Sequence, residues 1–363
     1  MPNSEDEERP HLTCTSKDFQ LSQFNKSTLT VNVKNSNQNY KIVAPDSTFN
    51  SIHQKSISSL DVSSGGLGIS AGNDGIFVWE SENGLIRRKL EIGHLGDINS
   101  VRLFPSGVVA LTSGTDMRLK ISSAEDGSNP VTLSGHTAAI TNTAIIERGR
   151  NVLSVSKDGS IRLWNCGLQK TIEPNIEIND CINDVDITET GLNCILNNDE
   201  EMESEENEEI GTRGKILVVG TENGSVNLVD LKGRQIITSK KFSAAVNCVK
   251  FLEHENFLVV GLQDGQILVL DVPNLTEISK IHDSDSSVES LLTLRNGFVV
   301  GKYDGACLWY GFDPVHNDIS KDVIVLTGAD VDPITAMAKD QDYIFTSCRD
   351  GCIRKYSIIN MFH

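Results

Sequence analysis

An all-β chain folded as a seven-bladed β-propeller is what three features of this sequence predict. The first is a repeat of about 40 to 46 residues, broken once by a longer step. The second is a tight Asp-Gly or equivalent turn near the middle of each unit, and the third is a pair of short, β-branched runs flanking that turn. The units read ISAGNDGIFVWE, LTSGTDMRLKIS, LSVSKDGSIRLWN, LVVGTENGSVNLVD, LVVGLQDGQILVLD, FVVGKYDGACLWY and FTSCRDGCIRKYS. Their turn residues are Asp74, Asp116, Asp158, Asn223, Asp264, Asp304 and Asp350, separated by 42, 42, 65, 41, 40 and 46 residues. That spacing suits one four-stranded propeller blade. The residue choice has a steric cause, because a two-residue hairpin needs positive φ at its centre, which Asn, Asp and Gly adopt at least cost.

Each unit is completed upstream by a further strand: ISSLDV from Ile57, INSVRL from Ile98, ITNTAI from Ile140, INDVDI from Ile182, VNCVKF from Val246, VESLLT from Val288 and ITAMA from Ile334. The fourth unit alone separates this strand widely from its hairpin, so the long step is an insertion inside one blade. The last unit supplies three strands and stops, so an earlier segment must fill the missing outer strand. Residues 48–55, TFNSIHQK, are the expected closure strand, since joining the chain ends removes the open sheet edges. The propeller is therefore expected over 47–363, a small N-terminal β appendage over 19–46, and a flexible acidic tail over 1–18. A disordered acidic insertion is expected at about 197–212 in the fourth blade.

The formal charge of −18 is unevenly spread. Eight carboxylates fall between Asp199 and Glu209, and Glu5, Asp6, Glu7 and Glu8 add four more, leaving about −6 for the remainder, an ordinary value for a soluble domain. The insertion reads either as a solvated, self-repelling loop or as an electrostatic lure for a basic partner. Lying between the first and second strands of its blade, it is expected on the face opposite the Asp-Gly turns. No basic run exists to neutralise phosphates, which argues against nucleic acid as a partner. No apolar stretch reads as a membrane span or secretory signal, and the eight cysteines have no metal-ligand spacing. Reduced thiols in the cytoplasm and nucleus, and a monomer, are the expectation.

Recurring His and Asp residues invite a catalytic or metal reading, but each pair belongs to its own blade, and the pairs do not converge on one pocket. The carboxylates on or near the innermost strands, Asp61, Asp184, Asp186 and Glu289, come without a His. Phosphate-binding loops, dinucleotide fingerprints and nucleophile elbows are absent from the sequence. No catalytic, cofactor-binding or metal residue is assigned, and the chain reads as a binding platform and not an enzyme.

Gly135-His136, Asp158-Gly159 and Trp164-Asn165 resemble the WD-repeat signature. In that family the His, a Ser or Thr, the turn Asp and the Trp form a buried hydrogen-bonded chain, which the resemblance maps to His136, Ser154, Asp158 and Trp164. The second blade offers His94, Thr112 and Asp116 but Ser122 where Trp is expected, and the last four blades have no matching Gly-His. The expectation is that these eroded blades keep their strands and lose the network.

Residues 98 to 167, and in them FPSG at 104 to 107, SAEDG at 123 to 127 and IIERGRNVLSVSKDGSIRLWNCG from Ile145, resemble the proteasomal ATPase-associated factor family, WD-repeat chaperones of the 19S regulatory particle. The resemblance implies binding to the C-terminal domains of proteasomal ATPase subunits and a role in ordering assembly. A substrate adaptor of a ubiquitin ligase, or a general scaffold, would use the same face. The residues expected to meet a partner there are Asp97, Asp180, Glu222, Asp283, Asp285, Tyr303, Asp330, Asp332 and Arg349, with the carboxylates facing basic side chains and Tyr303 giving an apolar anchor.

Overall fold

The structure is a computed structural model that describes residues 19–24, 27–33, 38–129, 131–188, 208–253, 256–272 and 274–362. The expected acidic tail, 1–18, and the insertion as far as residue 207 lie outside the described residues.

Seven sheets are present, and each holds four strands of one blade. Blade one runs Ile57–Val62, Leu67–Gly72, Gly75–Glu80 and Ile86–Leu90, innermost to outermost, and blades two to six repeat the order. The innermost strands of adjacent blades touch in sequence, and that of blade seven, Ile334–Lys339, meets that of blade one. The ring is closed, and the chain is a seven-bladed propeller. Each second strand is covered on both faces by a neighbour, and its residues are accordingly apolar in succession, as in Ile216–Thr221 and Phe257–Leu262, where almost every position is buried. Outermost strands keep one face in water, as in the exposed Ile86–Lys89. The core is thus a set of layers between blades: Val218 and Leu228 of blade four pack with Val249, Leu258 and Val260 of blade five.

Polar side chains on the innermost strands stitch neighbouring blades around the central channel, a cavity of about 370 Å³. Ser58 Oγ donates to the Ile98 carbonyl at 2.6 Å, Asn99 Nδ2 to Ile140 at 2.7 Å, and Thr141 Oγ1 to Ile182 at 3.0 Å. Asn183 Nδ2 donates to Val246 at 2.8 Å and Asn247 Nδ2 to Val288 at 3.0 Å. Blade six has Glu289 at this position, which cannot donate when ionised, and its neighbour Ser290 makes the bond to Ile334 instead, at 2.9 Å. The carboxylates noticed in the sequence serve the same stitching. Asp61 accepts from the Leu103 amide, Asp184 from Val249 and Asp186 from Phe251, at 2.8, 2.9 and 2.9 Å.

Among the described residues four strands precede blade one: β1 (Phe19–Phe24), β2 (Thr28–Val33), β3 (Gln38–Val43) and β4 (Ser47–Phe49). The first three form no separate unit. Instead β3 pairs in parallel with Asp318–Leu326, the outermost strand of blade six, making a seven-stranded sheet. β4 then pairs with Ile353–Ser357 as the fourth strand of blade seven. This strand is three residues long, shorter than the 48–55 stretch expected to close the ring, because residues 50–55 turn away as the loop leading into blade one. Asp46 ties the two chain ends together, accepting from the Ser357 amide at 2.6 Å and from Asn360 Nδ2 at 3.1 Å. A terminal helix, Ile358–Phe362, was not foreseen.

Phe49, buried against Trp79 with ring centroids 5.7 Å apart, is the apolar pin of the closure. We expect Phe49→Ala to lower unfolding stability by about 3 kcal/mol in urea titration. A change below about 0.5 kcal/mol would show that β4 does not hold the ring.

Candidate functional site

The loops entering each blade and its Asp-Gly turn share one face, because successive antiparallel strands place alternate connections at opposite ends. In blades one to three, what holds these loops is a buried hydrogen-bonded network at the turn. In blade three His136 Nδ1 lies 2.8 Å from Asp158, His136 Nε2 lies 2.8 Å from Ser154 Oγ, and Trp164 Nε1 donates to that oxygen at 2.9 Å. The polarity is consistent from end to end: the indole N–H donates to the serine, the serine hydroxyl to Nε2, and Nδ1–H to the carboxylate. A neutral imidazole satisfies this chain. Blade two repeats it as His94, Thr112 and Asp116, at 2.9 Å to Thr112 Oγ1 and 3.0 Å to Asp116.

Blade one also has the complete network, which the sequence reading did not find. His53 reaches Asp74 at 2.6 Å and Ser70 at 2.8 Å, and Trp79 donates to Ser70 at 3.1 Å. His53 was hidden inside the supposed closure strand and lacks a preceding Gly. Its distance from Asp74, 21 residues against 22 for the other two pairs, is the signal that would have found it.

The later blades diverge in two ways. In blades four and five the Ser and Trp positions are Val219 with Val229 and Val260 with Leu270, all buried, so apolar packing replaces the network. Blades six and seven rebuild a polar one from other residues, contrary to the expected loss. In blade six the carboxylate comes from the entry loop: Asp283 is paired with Lys302, whose side chain is 0% exposed, and accepts from Tyr310 Oη at 2.8 Å. Tyr310 occupies the position of Trp164. In blade seven Arg354 pairs with Asp350, and Tyr356 Oη donates to the Thr327 carbonyl at 2.7 Å.

Burial lowers the basicity of His53, His94 and His136, against the opposing pull of their aspartates, so all three sit below the ordinary histidine range. Burial alone would raise Asp158, but bonds from Ser160, the Thr137 amide and His136 outweigh it and hold the carboxyl low. Asp74 and Asp116 are lowered in the same manner. In each of these three networks the aspartate therefore keeps its negative charge opposite a neutral histidine near neutral pH.

The residues expected to meet a partner divide by their engagement. Asp97 is exposed, its carbonyl accepting from the Thr115 amide at 2.9 Å. Asp180 caps the blade-four turn, accepting from Asn223 Nδ2 at 2.8 Å. Glu222 pairs across to Lys157 of the blade-three turn. Asp285 is 96% exposed with Oδ1 3.0 Å from His282 Nε2, and Asp330 is exposed. Tyr303, Arg349 and Asp332 come together, with the guanidinium 5.9 Å from the ring centroid and Arg349 Nε 3.3 Å from Asp332 Oδ1. Asp283 differs from the rest, being committed inward to Lys302 and Tyr310. Among the described residues no group of three His, Cys, Asp or Glu side chains is placed to hold a metal, and no helix is long and apolar enough to cross a membrane.

On the opposite face the end of the insertion is clamped to blade three. Asn151 Nδ2 and Asn165 Nδ2 donate to the Glu208 carbonyl at 3.1 and 2.7 Å, and Asn151 Oδ1 accepts from the Ile210 amide at 2.7 Å. Glu208 pairs with Lys170 at 2.6 Å and Glu209 with Arg234 at 3.0 Å. These two asparagines lie in the ERGRNV and LWNCG stretches that set the sequence apart from a generic repeat.

A closed ring of seven blades with the His, Ser or Thr, Asp and Trp chain intact in two of them defines a WD-repeat propeller. The WD domain, G-beta repeat, matches residues 127–165, and the anaphase-promoting complex subunit 4 WD40 domain matches residues 215–294. The chain is 40% identical over 355 residues to Proteasomal ATPase-associated factor 1 of Homo sapiens, covering 97% of this chain and 88% of that protein. Its counterpart in Gallus gallus is 42% identical over 346 residues, 94% and 86% of the two chains. The 26S proteasome regulatory subunit RPN14 of Saccharomyces cerevisiae is 35% identical over 198 residues, 52% of this chain and 46% of that one. The chain belongs to the proteasomal ATPase-associated factor family, and the resemblance read over residues 98 to 167 extends along nearly all of it.

Two outcomes follow from the networks. An unfolded histidine takes up its proton near pH 6.5, and the folded ones only at lower pH, so stability falls as pH drops from about 6.5 toward 5. His136→Gln should be less stable than the parent by about 1–3 kcal/mol at pH 7.5 and show a shallower decline over that window in urea titrations; an unchanged slope would place His136 outside the linkage. Separately, Asp283→Lys should lower the thermal midpoint markedly, since it strands the buried Lys302 charge at a cost of about 3–5 kcal/mol, while Asp285→Lys should leave it nearly unchanged. Equal midpoints for the two variants would contradict the inward role of Asp283.

Proposed function

We propose that this chain is a non-enzymatic chaperone that binds the C-terminal domains of proteasomal ATPase subunits during assembly of the regulatory particle. The observation that carries the reading is the turn face itself. Its loops are rigidly pinned, and it is rich in carboxylates that the neutral histidines do not offset. Such a surface suits a basic domain. The names of the relatives, a proteasomal ATPase-associated factor and a 26S proteasome regulatory subunit, support proteasomal ATPase subunits as the partner. A binding role without catalysis is supported by the networks, where both ring nitrogens of His53, His94 and His136 are engaged and the imidazoles are buried, so none of these three is poised toward a substrate. A monomer acting in the cytoplasm and nucleus completes the proposal.

The test is capture from cell lysate with the full chain as bait. Proteasomal ATPase subunits should be recovered without mature 20S core, and recovery should fall as ionic strength rises from about 0.05 to 0.5 M. Asp285→Lys with Asp330→Lys should reduce recovery at least about tenfold at low salt. Recovery of cullins or other ligase subunits in place of the ATPases, or salt-independent capture, would overturn the proposal.

A further inference from the structure

Four large apolar side chains stand exposed on the turn face among the described residues, and they are not spread around the ring. Leu95 (82% exposed) and Met117 (40%) belong to blade two, Tyr303 (54%) to the blade-six turn, and Val331 (79%) to the loop entering blade seven. Blade one lies between them. The corresponding loops of blades three and five present Thr137 and Ser243, and the blade-four loop presents Asn179. The remaining exposed large apolar residues, such as Leu85, Leu168, Val315 and Phe362, lie on or toward the other face.

These side chains are held, not merely left over. The Leu95 amide donates to Asp116 Oδ2 at 3.2 Å, as the Gln54 and Thr137 amides donate to Asp74 and Asp158 at 2.7 and 2.9 Å. Three equivalent positions are thus fixed by the same contact, and only blade two makes its one apolar. Val331 sits at the tip of a tight turn closed by the Asp332 amide on the Ala329 carbonyl at 2.9 Å, with Asp330 at φ 51°. Presenting an apolar group from a rigid loop avoids the ordering cost that a mobile loop incurs on binding. Beside Leu95 opens a cleft of about 310 Å³ between blades one and two, edged by Glu91 and Asp97, with Lys89 lying along its wall at Gly75. Three carboxylates, Asp74, Glu91 and Asp97, line the cleft against the one cation, Lys89, so its formal balance is acidic and favours a cationic side chain. Asp285 and Asp330 provide the matching carboxylates at the blade-six and blade-seven end.

We propose that the partner docks on the arc running from blade six through blades seven and one to blade two, as a basic amphipathic α-helix. Its apolar stripe lies on Val331, Tyr303, Leu95 and Met117, and its cations reach the Glu91 and Asp97 cleft and the Asp285 and Asp330 pair. A helix is the occupant because the described backbone on this face is turn and loop and offers no strand edge for an extended peptide to join, and because apolar points alternating with carboxylates complement a stripe flanked by lysine or arginine. The proposal deepens the functional reading above and rests on it for the partner's identity, while the surface chemistry is independent of that name.

Two measurements test it. Leu95→Asp combined with Val331→Asp should reduce capture of ATPase subunits by about tenfold or more, while Thr137→Asp combined with Ser243→Asp, which adds the same charge to blades three and five, should leave capture unchanged or raised. Unaltered thermal midpoints establish that both variants are folded. Loss with the second pair and not the first, or with neither, overturns the arc. The second measurement is an NMR titration of the full chain with a synthetic Leu/Lys amphipathic helix, read at methyl groups. Shifts at Leu95, Met117 and Val331 support the arc, and shifts absent or confined to blades three to five overturn it. If the parent captures no ATPase while the peptide maps to the arc, the partner's identity falls and the docking surface stands.

Discussion

A blade of this propeller cannot exist by itself, because its second strand is apolar on both faces and needs a neighbour on each side. That requirement is met only when the ring closes, and closure depends on the short strand Ser47–Phe49 completing blade seven beside Ile353–Ser357. Everything presented to a partner is positioned by this constraint. The turn face is stiff because each turn is anchored to a blade that is itself wedged between two others, with side-chain bonds linking successive innermost strands from blade one to blade seven.

The polar networks do two things with the same atoms. They satisfy buried donors and acceptors, which would otherwise be costly, and they pin the entry loops by giving the turn aspartate a backbone amide to bind. Because burial keeps the histidines neutral, the aspartates remain uncompensated, and the acidity of the face is partly a by-product of its architecture. Blades four and five dispense with the network by packing Val219, Val229, Val260 and Leu270, and blade six inverts it by drawing the carboxylate from the loop and the cation from the strand. One fold tolerates all three solutions since each fills the same space between blades.

How much was legible in the sequence follows from this. The seven strands and turns of the repeat were readable because hairpin sterics and period-bound patterning act locally, and His136, Ser154, Asp158 and Trp164 were placed by the same short-range order. His53 escaped because its Gly partner is missing and it lies in the linker crossing the closure. Asp283 was read as a surface charge because its partners, Lys302 and Tyr310, lie 19 and 27 residues away and belong to no motif of the repeat. Likewise, the pairing of β3 with blade six joins residues more than 280 apart and left no trace in the pattern of either strand. Leu95 and Val331 were passed over because an apolar residue in a loop carries no sign of its exposure until the neighbouring turns are in place.

The central claim is that recognition occurs at the turn face of a rigid ring. Hydrogen exchange on the full chain, with and without saturating proteasomal ATPase subunits, addresses it most directly. The account predicts added protection in the loops 91–97, 282–287 and 327–333, with the innermost strands slow to exchange in both states. Protection confined to the hairpins of the opposite face or to the outermost strands, or loss of protection along the innermost strands on binding, would contradict it.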